Sequence, residues 1–280
     1  MINMYNKTIF VAHDFSKASK NAINIAAQFA ENLNARLYVY NVIPVALLSD
    51  IENSYVFNPD EAIKRNTTLM RRMIATVRKQ HKGLTIVFEV DYGLVIPLLT
   101  NKIAEIKPWL AILGVKKRNA FDRVVFGDVC SDLVDLVDVP FMAIPNNYSK
   151  FKLNQVVYAW DGQSSDVEHL SFIRKLLVND GAQITALNVT HYDEKTQNLV
   201  PKFKLNLKKF FYKHKSHVVQ LIGLDNKQAV NNALLKIKPD LLVVYSHRYN
   251  FFQKLFHASF SKKAIQFSKS PILIIKESKE

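Results

Sequence analysis

The chain has 280 residues, about twice the length of an ordinary domain, and this length predicts two domains. Apolar residues make up 49% of the sequence, which is a globular composition and excludes a disordered or fibrous protein. The formal net charge of +14 is compatible with binding to nucleic acid or to another anionic partner.

The first predicted element is a strand from Ile9 to Ala12, where an apolar run ends at His13 and Asp14. Because these polar residues interrupt the run, we expect no export signal. The one cysteine, Cys130, excludes an internal disulfide framework and suits a reducing compartment. No stretch of about 18 apolar residues occurs, so we expect no membrane partner. These features predict a cytoplasmic protein.

A helix is predicted next, with Ser16 as its N-cap. Its apolar residues recur at spacings of three and four and define one buried face: Ala22, Ile25, Ala26, Phe29, Ala30 and Leu33. Four further strands are predicted from short β-branched runs at 37–42, 85–90, 110–113 and 141–144. The polar segment 146–154 is the predicted junction with the second half.

The second half carries most of the net positive charge, with 20 basic against 10 acidic residues in 151–280. Near its start, Ser165 and Glu168 form a capping-box pattern, and Gly181 follows as the predicted C-cap of that helix. Six lysines fall within 202–215, interleaved with apolar residues: Phe203, Leu205, Leu207, Phe210 and Phe211. This pattern favours an amphipathic helix with a solvated basic face over a nucleic-acid patch, because the apolar residues are needed for packing.

The two halves resemble each other at constant offsets. Residues 8–19 match 155–166 and residues 35–42 match 182–189, both at an offset of 147. Residues 106–114 match 237–245, and residues 139–144 match 270–275, both at an offset of 131. The first half therefore contains 16 extra residues, which we expect as an insertion within 43–62.

Alternating strands and helices of this kind predict βαβ units and a parallel sheet. We therefore expect an α/β protein made of two tandem doubly wound domains, each with a five-stranded, mainly parallel sheet. The predicted domains are residues 1–147 and 152–280. We also expect the two to pack as an internal pseudo-dimer through their last strands, since an apolar edge strand left unpaired invites aggregation. A homodimer remains open.

In such sheets, ligands bind beyond the carboxyl ends of the strands, where the strand order reverses. Asp14 and Asp161 each follow the first strand of their half. Two interpretations are open for them: a residue of the turn that starts the helix, or a carboxylate that contacts a base or ribose.

The sequence resembles tandem members of the universal stress protein family. The resemblance covers nearly the whole chain and rests on VAHDFSKAS at 11–19, YNV at 40–42 and the segment 113–144. It implies a nucleotide pocket in which Asp14 and Val42 would hold the adenosine. It also implies a phosphate loop of pattern Gly-x2-Gly-x9-Gly-Ser/Thr, on which Gly114 and Gly127 match.

Two departures from this loop matter physically. Lys117 replaces the second glycine, which removes the backbone freedom needed for close approach to phosphate. Asp128 replaces the hydroxyl residue and places a carboxylate where the anion would bind. Two interpretations are open for the three basic residues of this loop, Lys116, Lys117 and Arg118: a solvated loop, or a site that holds a differently placed phosphate.

The second half departs further from the implied loop. Asp161 and Val189, the counterparts of Asp14 and Val42, remain, and Ser259 keeps the hydroxyl. Tyr245 stands at the first glycine position and should obstruct phosphate. Two roles are open for Trp160: it could stack on a bound base, or it could fill the end of the sheet. We favour the second role, in which the ring packs in the core.

Enzymatic alternatives have weak support in the sequence. No glycine belongs to a GxGxxG or GxxxxGK[ST] motif, no GxSxG elbow occurs, and no histidine pair has convincing metal-ligand spacing. Cys130, near a predicted helix start, is expected to be an inert thiol. We expect no catalytic residue, no metal and no required cofactor, although ATP, AMP or another adenine nucleotide could bind. The predicted function is a stress-response binding or regulatory module with a degenerate nucleotide pocket, and a weak ATP hydrolase is the alternative.

Overall fold

The computed structural model describes ten segments of the chain: residues 7–45, 58–115, 128–148, 152–160, 167, 170–177, 181–190, 194–222, 226–246 and 270–276. These residues belong to two compact units. The first unit contains the described residues up to 148, and the second contains those from 152 onward.

The first unit alternates strands and helices along the chain. Its elements are β1 (Thr8–Ala12), α1 (Lys17–Asn32), β2 (Arg36–Pro44), α2 (Pro59–Gln80), β3 (Ile86–Gly93), α3 (Val95–Ile106), β4 (Leu110–Val115), α4 (Asp128–Leu136) and β5 (Phe141–Pro145). The strand order is β3-β2-β1-β4-β5, and each neighbouring pair is parallel. All five predicted strands are present, extended by a few residues.

Helix α1 follows the sequence pattern closely. Its N-cap is Ser16, whose Oγ accepts a hydrogen bond from the Ser19 backbone N–H at 3.3 Å. The predicted stripe is buried from Ala22 to Ala30, and Leu33 is the C-cap residue. The prediction of this helix from cap and periodicity is therefore confirmed.

The second unit repeats the order of the first up to its fourth strand, and residues 247–269, before its last strand, lie outside the described part of the chain. Its elements are β6 (Gln155–Trp160), α5 (Ser171–Leu176), β7 (Gln183–Thr190), α6 (Glu194–Phe210), β8 (Lys215–Ile222), α7 (Asn226–Ile237), β9 (Leu241–Ser246) and β10 (Ile272–Lys276). The strand order is β10-β9-β6-β7-β8, again with parallel pairs throughout. The predicted fold class, with a five-stranded parallel sheet in each half, is confirmed.

The helix cap predicted at Gly181 is wrong. Gly181 was expected to cap the first helix of the second half, but α5 ends at Leu176 and Leu177 is its cap residue. Gly181 instead adopts a φ of +97° and donates its N–H to the Lys213 carbonyl, so its glycine character serves the turn into β7. The capping-box residues Ser165 and Glu168 lie outside the described residues, as does most of the predicted insertion, at 46–57.

Helix α6 has the amphipathic character that its sequence predicts. Phe203, Leu207 and Phe211 are fully buried, whereas the lysines of the stretch 202–209 are exposed. The ring of Phe203 stacks on Trp160 with centroids 3.9 Å apart. Trp160 therefore packs against the helix, as favoured above. Among the described residues, no helix is both long and apolar enough to cross a bilayer.

Candidate functional site

The strand order of the first unit reverses between β1 and β4, because the chain returns to the middle of the sheet at this point. Beyond the carboxyl ends of these two strands is the place where doubly wound sheets bind ligands. The described candidates Asp14, Val42 and Gly114 belong to the ends of β1, β2 and β4. The topology therefore brings these three predicted residues to the same edge.

Asp14 has a structural role in the turn that leads into α1. Its Oδ1 accepts a hydrogen bond from the Ser16 backbone N–H at 3.0 Å, and its own N–H donates to the Ser19 Oγ at 3.4 Å. This is an Asx turn placed directly before the helix. The side chain is nevertheless exposed, so a carboxylate stands at the solvent edge of the site.

The two neighbours of Asp14 are a residue with a left-handed backbone conformation and a buried histidine. Phe15 has a φ of +62°, in the left-handed region that costs free energy for a residue with a side chain. His13 is only 3% exposed, and its ring contacts the edge of Phe15 with centroids 4.8 Å apart. Burial lowers the pKa of His13 from 6.5 to about 4, although the nearby Asp14 carboxylate acts in the opposite direction.

Asn41 is a buried polar residue at this edge that the sequence analysis did not single out. Its Nδ2 donates to the His13 carbonyl at 2.7 Å, and its Oδ1 accepts from Asn66 Nδ2 at 2.9 Å. One side chain thus joins β2 to the end of β1 and to α2. A signal was present in the sequence, because Asn188 stands at the same repeat position and donates to the Trp160 carbonyl at 2.9 Å.

Val42 follows Asn41 and is half-buried. Its register partner on β3 is Asp91, whose Oδ2 accepts a hydrogen bond from the Tyr40 hydroxyl at 2.5 Å. The strand end around Val42 therefore combines an apolar side chain with a neighbouring carboxylate that is already hydrogen-bonded.

Gly114 lies where β4 packs directly against the backbone of α1. A Cβ at this position would be 2.3 Å from the Ala18 carbonyl carbon and 2.4 Å from the Ser19 nitrogen. Such contacts are with backbone atoms, which cannot rotate away. Helix packing therefore requires glycine here, independently of any phosphate.

The remaining first-half candidates belong to the phosphate loop that the family resemblance implies. Asp128 is the first residue of α4. Lys117 and Gly127 lie outside the described residues. Cys130, two residues into α4, is buried, and burial raises its thiol pKa well above the usual range, as expected for an inert thiol.

Comparison with known proteins decides the family. The universal stress protein family profile matches residues 5–145, half of the chain. The chain belongs to the universal stress protein family. Comparison with curated proteins gave no match.

Two solved structures extend the likeness over both halves of this universal stress protein. A universal stress protein from Archaeoglobus fulgidus DSM 4304 aligns with 98% of this chain and 99% of its own, at 14% identity and a TM-score of 0.71. A functionally unknown protein from Pseudomonas aeruginosa PAO1 aligns with 98% of this chain and 93% of its own, at 10% identity and a TM-score of 0.55. At these identities, the likeness concerns the fold.

The second half of this universal stress protein offers a different edge. Trp160 stands at the repeat position of His13. Phe203 covers one face of its indole ring, so a base cannot stack on that face. Val189 lies in β7, and Tyr245 lies in β9. The candidates Asp161 and Ser259 lie outside the described residues.

The groups beyond the carboxyl ends of β1, β2 and β4 are suited to binding a ligand. They offer a carboxylate for hydroxyl or amino donors and a half-buried apolar strand end. Within the described segments, no three His, Cys, Asp or Glu side chains are grouped so that they could hold a metal ion.

Proposed function

We propose that this universal stress protein is a binding module whose first half takes the base and ribose of an adenine nucleotide weakly and disfavours its phosphates. The observation that carries the proposal is the position of Asp14, exposed beyond β1 at the point where the strand order reverses. A carboxylate there accepts hydrogen bonds from ribose hydroxyls or from an exocyclic amine. A cytoplasmic role in the stress response belongs to the same proposal.

The expected weakness toward phosphate rests on Asp128. This residue begins α4, and the N-terminus of a helix is where an anion gains most from backbone N–H groups. Two like unit charges about 4 Å apart repel by roughly 4 kcal/mol at an effective dielectric constant of about 20, and water reduces this value. Even a quarter of it weakens binding about fivefold.

Titration calorimetry with adenosine, AMP and ATP tests the adenosine half. Asp14→Asn keeps an oxygen that can accept the Ser16 N–H and removes only the charge. We expect it to weaken adenosine binding about tenfold, the loss of one charge-assisted hydrogen bond. Asp60→Asn, which makes the same change at an exposed carboxylate in the first turn of α2, is the matched control. Equal affinities of the wild type and Asp14→Asn would contradict the proposal, and so would undetectable adenosine binding by the wild type.

The double substitution Lys117→Gly with Asp128→Ser restores the loop pattern of the family and tests the phosphate half. We expect stronger ATP binding and nearly unchanged adenosine binding. If neither ligand improves, or both improve equally, then another feature closes the pocket. Phosphate release from ATP by the wild type, abolished by Asp14→Asn, would favour the weak hydrolase instead.

A further inference from the structure

The solvent-exposed face of α6 is separate from the residues of the proposed nucleotide site and combines basic with apolar side chains. Four lysines are exposed on it, at positions 202, 204, 208 and 209. Between them stand two large apolar side chains, Leu205 at 53% exposure and Tyr212, in the turn after the helix, at 74%. The core needs neither side chain, because Phe203, Leu207 and Phe211 already fill the buried face.

The helical period arranges these residues in rows. Leu205 marks one exposed side of the helix, and Tyr212 follows in the turn two residues after Phe210, the last helical residue. Lys204 and Lys208 lie along one flank of that side, and Lys202 and Lys209 lie along the other. The face thus has an apolar centre between two cationic margins, and we call it the lysine face.

The charge on the lysine face is not balanced locally. Residues 195–224 contain seven lysines and no aspartate or glutamate. Among the described residues, none of the four lysines of the face is within ion-pair distance of a carboxylate. The one acidic residue of α6, Glu194, is its first residue and precedes all four lysines of the face. An uncompensated cationic surface of this kind is complementary to a dense anionic one.

We propose that the lysine face docks on an anionic phospholipid surface, with Leu205 and Tyr212 in the headgroup layer and the lysines on lipid phosphates and carboxylates. An apolar centre with basic margins is the arrangement by which a helix lies in a bilayer interface. Lysine stems reach along the apolar layer while their ammonium groups stay among the headgroups. Nucleic acid would engage the lysines but would leave Leu205 without an apolar environment.

This proposal revises the expectation of no membrane partner. That expectation rested on the absence of a spanning segment, whereas a helix that lies on a surface needs no span. Each lysine near an anionic membrane contributes about fivefold to the partition coefficient, so four exposed lysines suffice for reversible binding.

Vesicle sedimentation with the full chain tests the proposal. We expect binding to phosphatidylcholine vesicles that contain phosphatidylserine and little binding to pure phosphatidylcholine. Replacing all four lysines of the face by Gln should lower the partition coefficient at least tenfold. The matched control replaces four exposed basic residues of α2 by Gln: Lys64, Arg65, Arg71 and Arg72. An equal loss in both variants would mean that net charge alone governs binding and would overturn the proposal.

The apolar centre requires its own test, at constant charge. Leu205→Asn with Tyr212→Asn should also weaken binding, by about tenfold, because two apolar side chains no longer leave water. In a Leu205→Trp variant, brominated lipids should quench the new tryptophan in serine-lipid vesicles. Absence of quenching, or unchanged binding of the double Asn variant, would overturn the proposal. Tighter binding to duplex DNA, RNA or polyglutamate than to the vesicles would overturn it in favour of that partner.

Discussion

Phe15 holds a backbone conformation that glycine adopts more easily. Its φ is +62°, and Gly162 stands at the corresponding position of the second half. A residue with a side chain costs about 1 kcal/mol in this region relative to glycine. We therefore expect Phe15→Gly to be more stable than Phe15→Ala by about 1 kcal/mol, as measured by urea unfolding.

The control for this pair is Asn24, an exposed position inside α1. There the order should be reversed, with Asn24→Ala more stable than Asn24→Gly by about 1 kcal/mol. If alanine were the better residue at both positions, the left-handed conformation of Phe15 would carry no strain.

His13 makes the stability of the first half sensitive to pH. Its pKa is about 4 in the folded chain, against 6.5 for an unperturbed histidine, so the unfolded chain binds the proton more readily between these values. The stabilising contribution is present above pH 6.5 and is lost as the pH falls toward 4. The shift corresponds to at most about 3 kcal/mol.

His13→Phe keeps an aromatic ring and removes the titration. Between pH 7 and pH 4.5, we expect the unfolding free energy of this variant to fall less than that of the wild type, by up to about 3 kcal/mol. Other titrating groups are common to both proteins and cancel in the comparison. Parallel pH profiles would show that the imidazole is not held neutral by burial.

The contact between α1 and β4 depends on Gly114. A methyl group there would overlap the backbone at Ala18 and Ser19, so the helix must shift. We expect Gly114→Ala to lower the unfolding free energy by about 2–3 kcal/mol. Gly83→Ala is the control, because it adds a methyl group into open space at a φ of +90° and costs about 1 kcal/mol through the backbone alone. A smaller loss at Gly114 than at Gly83 would refute the packing argument.

The elements themselves were predictable because their signals are local. Short apolar runs marked all five strands of the first half, and a stripe of spacing three and four marked α1. The edge location of Asp14, Val42 and Gly114 followed from the topology of parallel sheets.

The partners at the site were not predictable, because they belong to distant segments, although the recurrence of Asn41 as Asn188 in the repeat marks the position. Asn41 reads as one residue of a strand, and its partners, the His13 carbonyl and Asn66, lie 28 and 25 residues away. Gly114 reads as part of a phosphate loop, and only the approach of α1 gives it a second reason to be glycine. Gly181 was misassigned as a cap because the end of α5 is not marked by a glycine.

The pairing of the two halves through residues 141–144 and 272–275 stays a prediction. Hydrogen exchange measures it, because an edge strand in a parallel sheet uses only alternate N–H groups to bond its neighbour. If β5 has a second partner, its amides should be protected without alternation. Strand β3, at the other end of the order in the first unit, should show the alternating pattern. Alternation in β5 as well would exclude the pairing.

Each half contains one of the two tryptophans, so fluorescence can report on the unfolding of each half separately. Trp109 precedes β4 in the first half, where the Lys7 ammonium lies 5.4 Å from its ring centroid. Trp160 is 2% exposed and stacked on Phe203 in the second. The chain contains no other tryptophan, so Trp109→Phe and Trp160→Phe each leave one fluorophore, confined to a single half. Emission from these two proteins would follow the unfolding of each half in turn, and the separation of their denaturant midpoints would measure how far the duplicated chain melts as one cooperative unit.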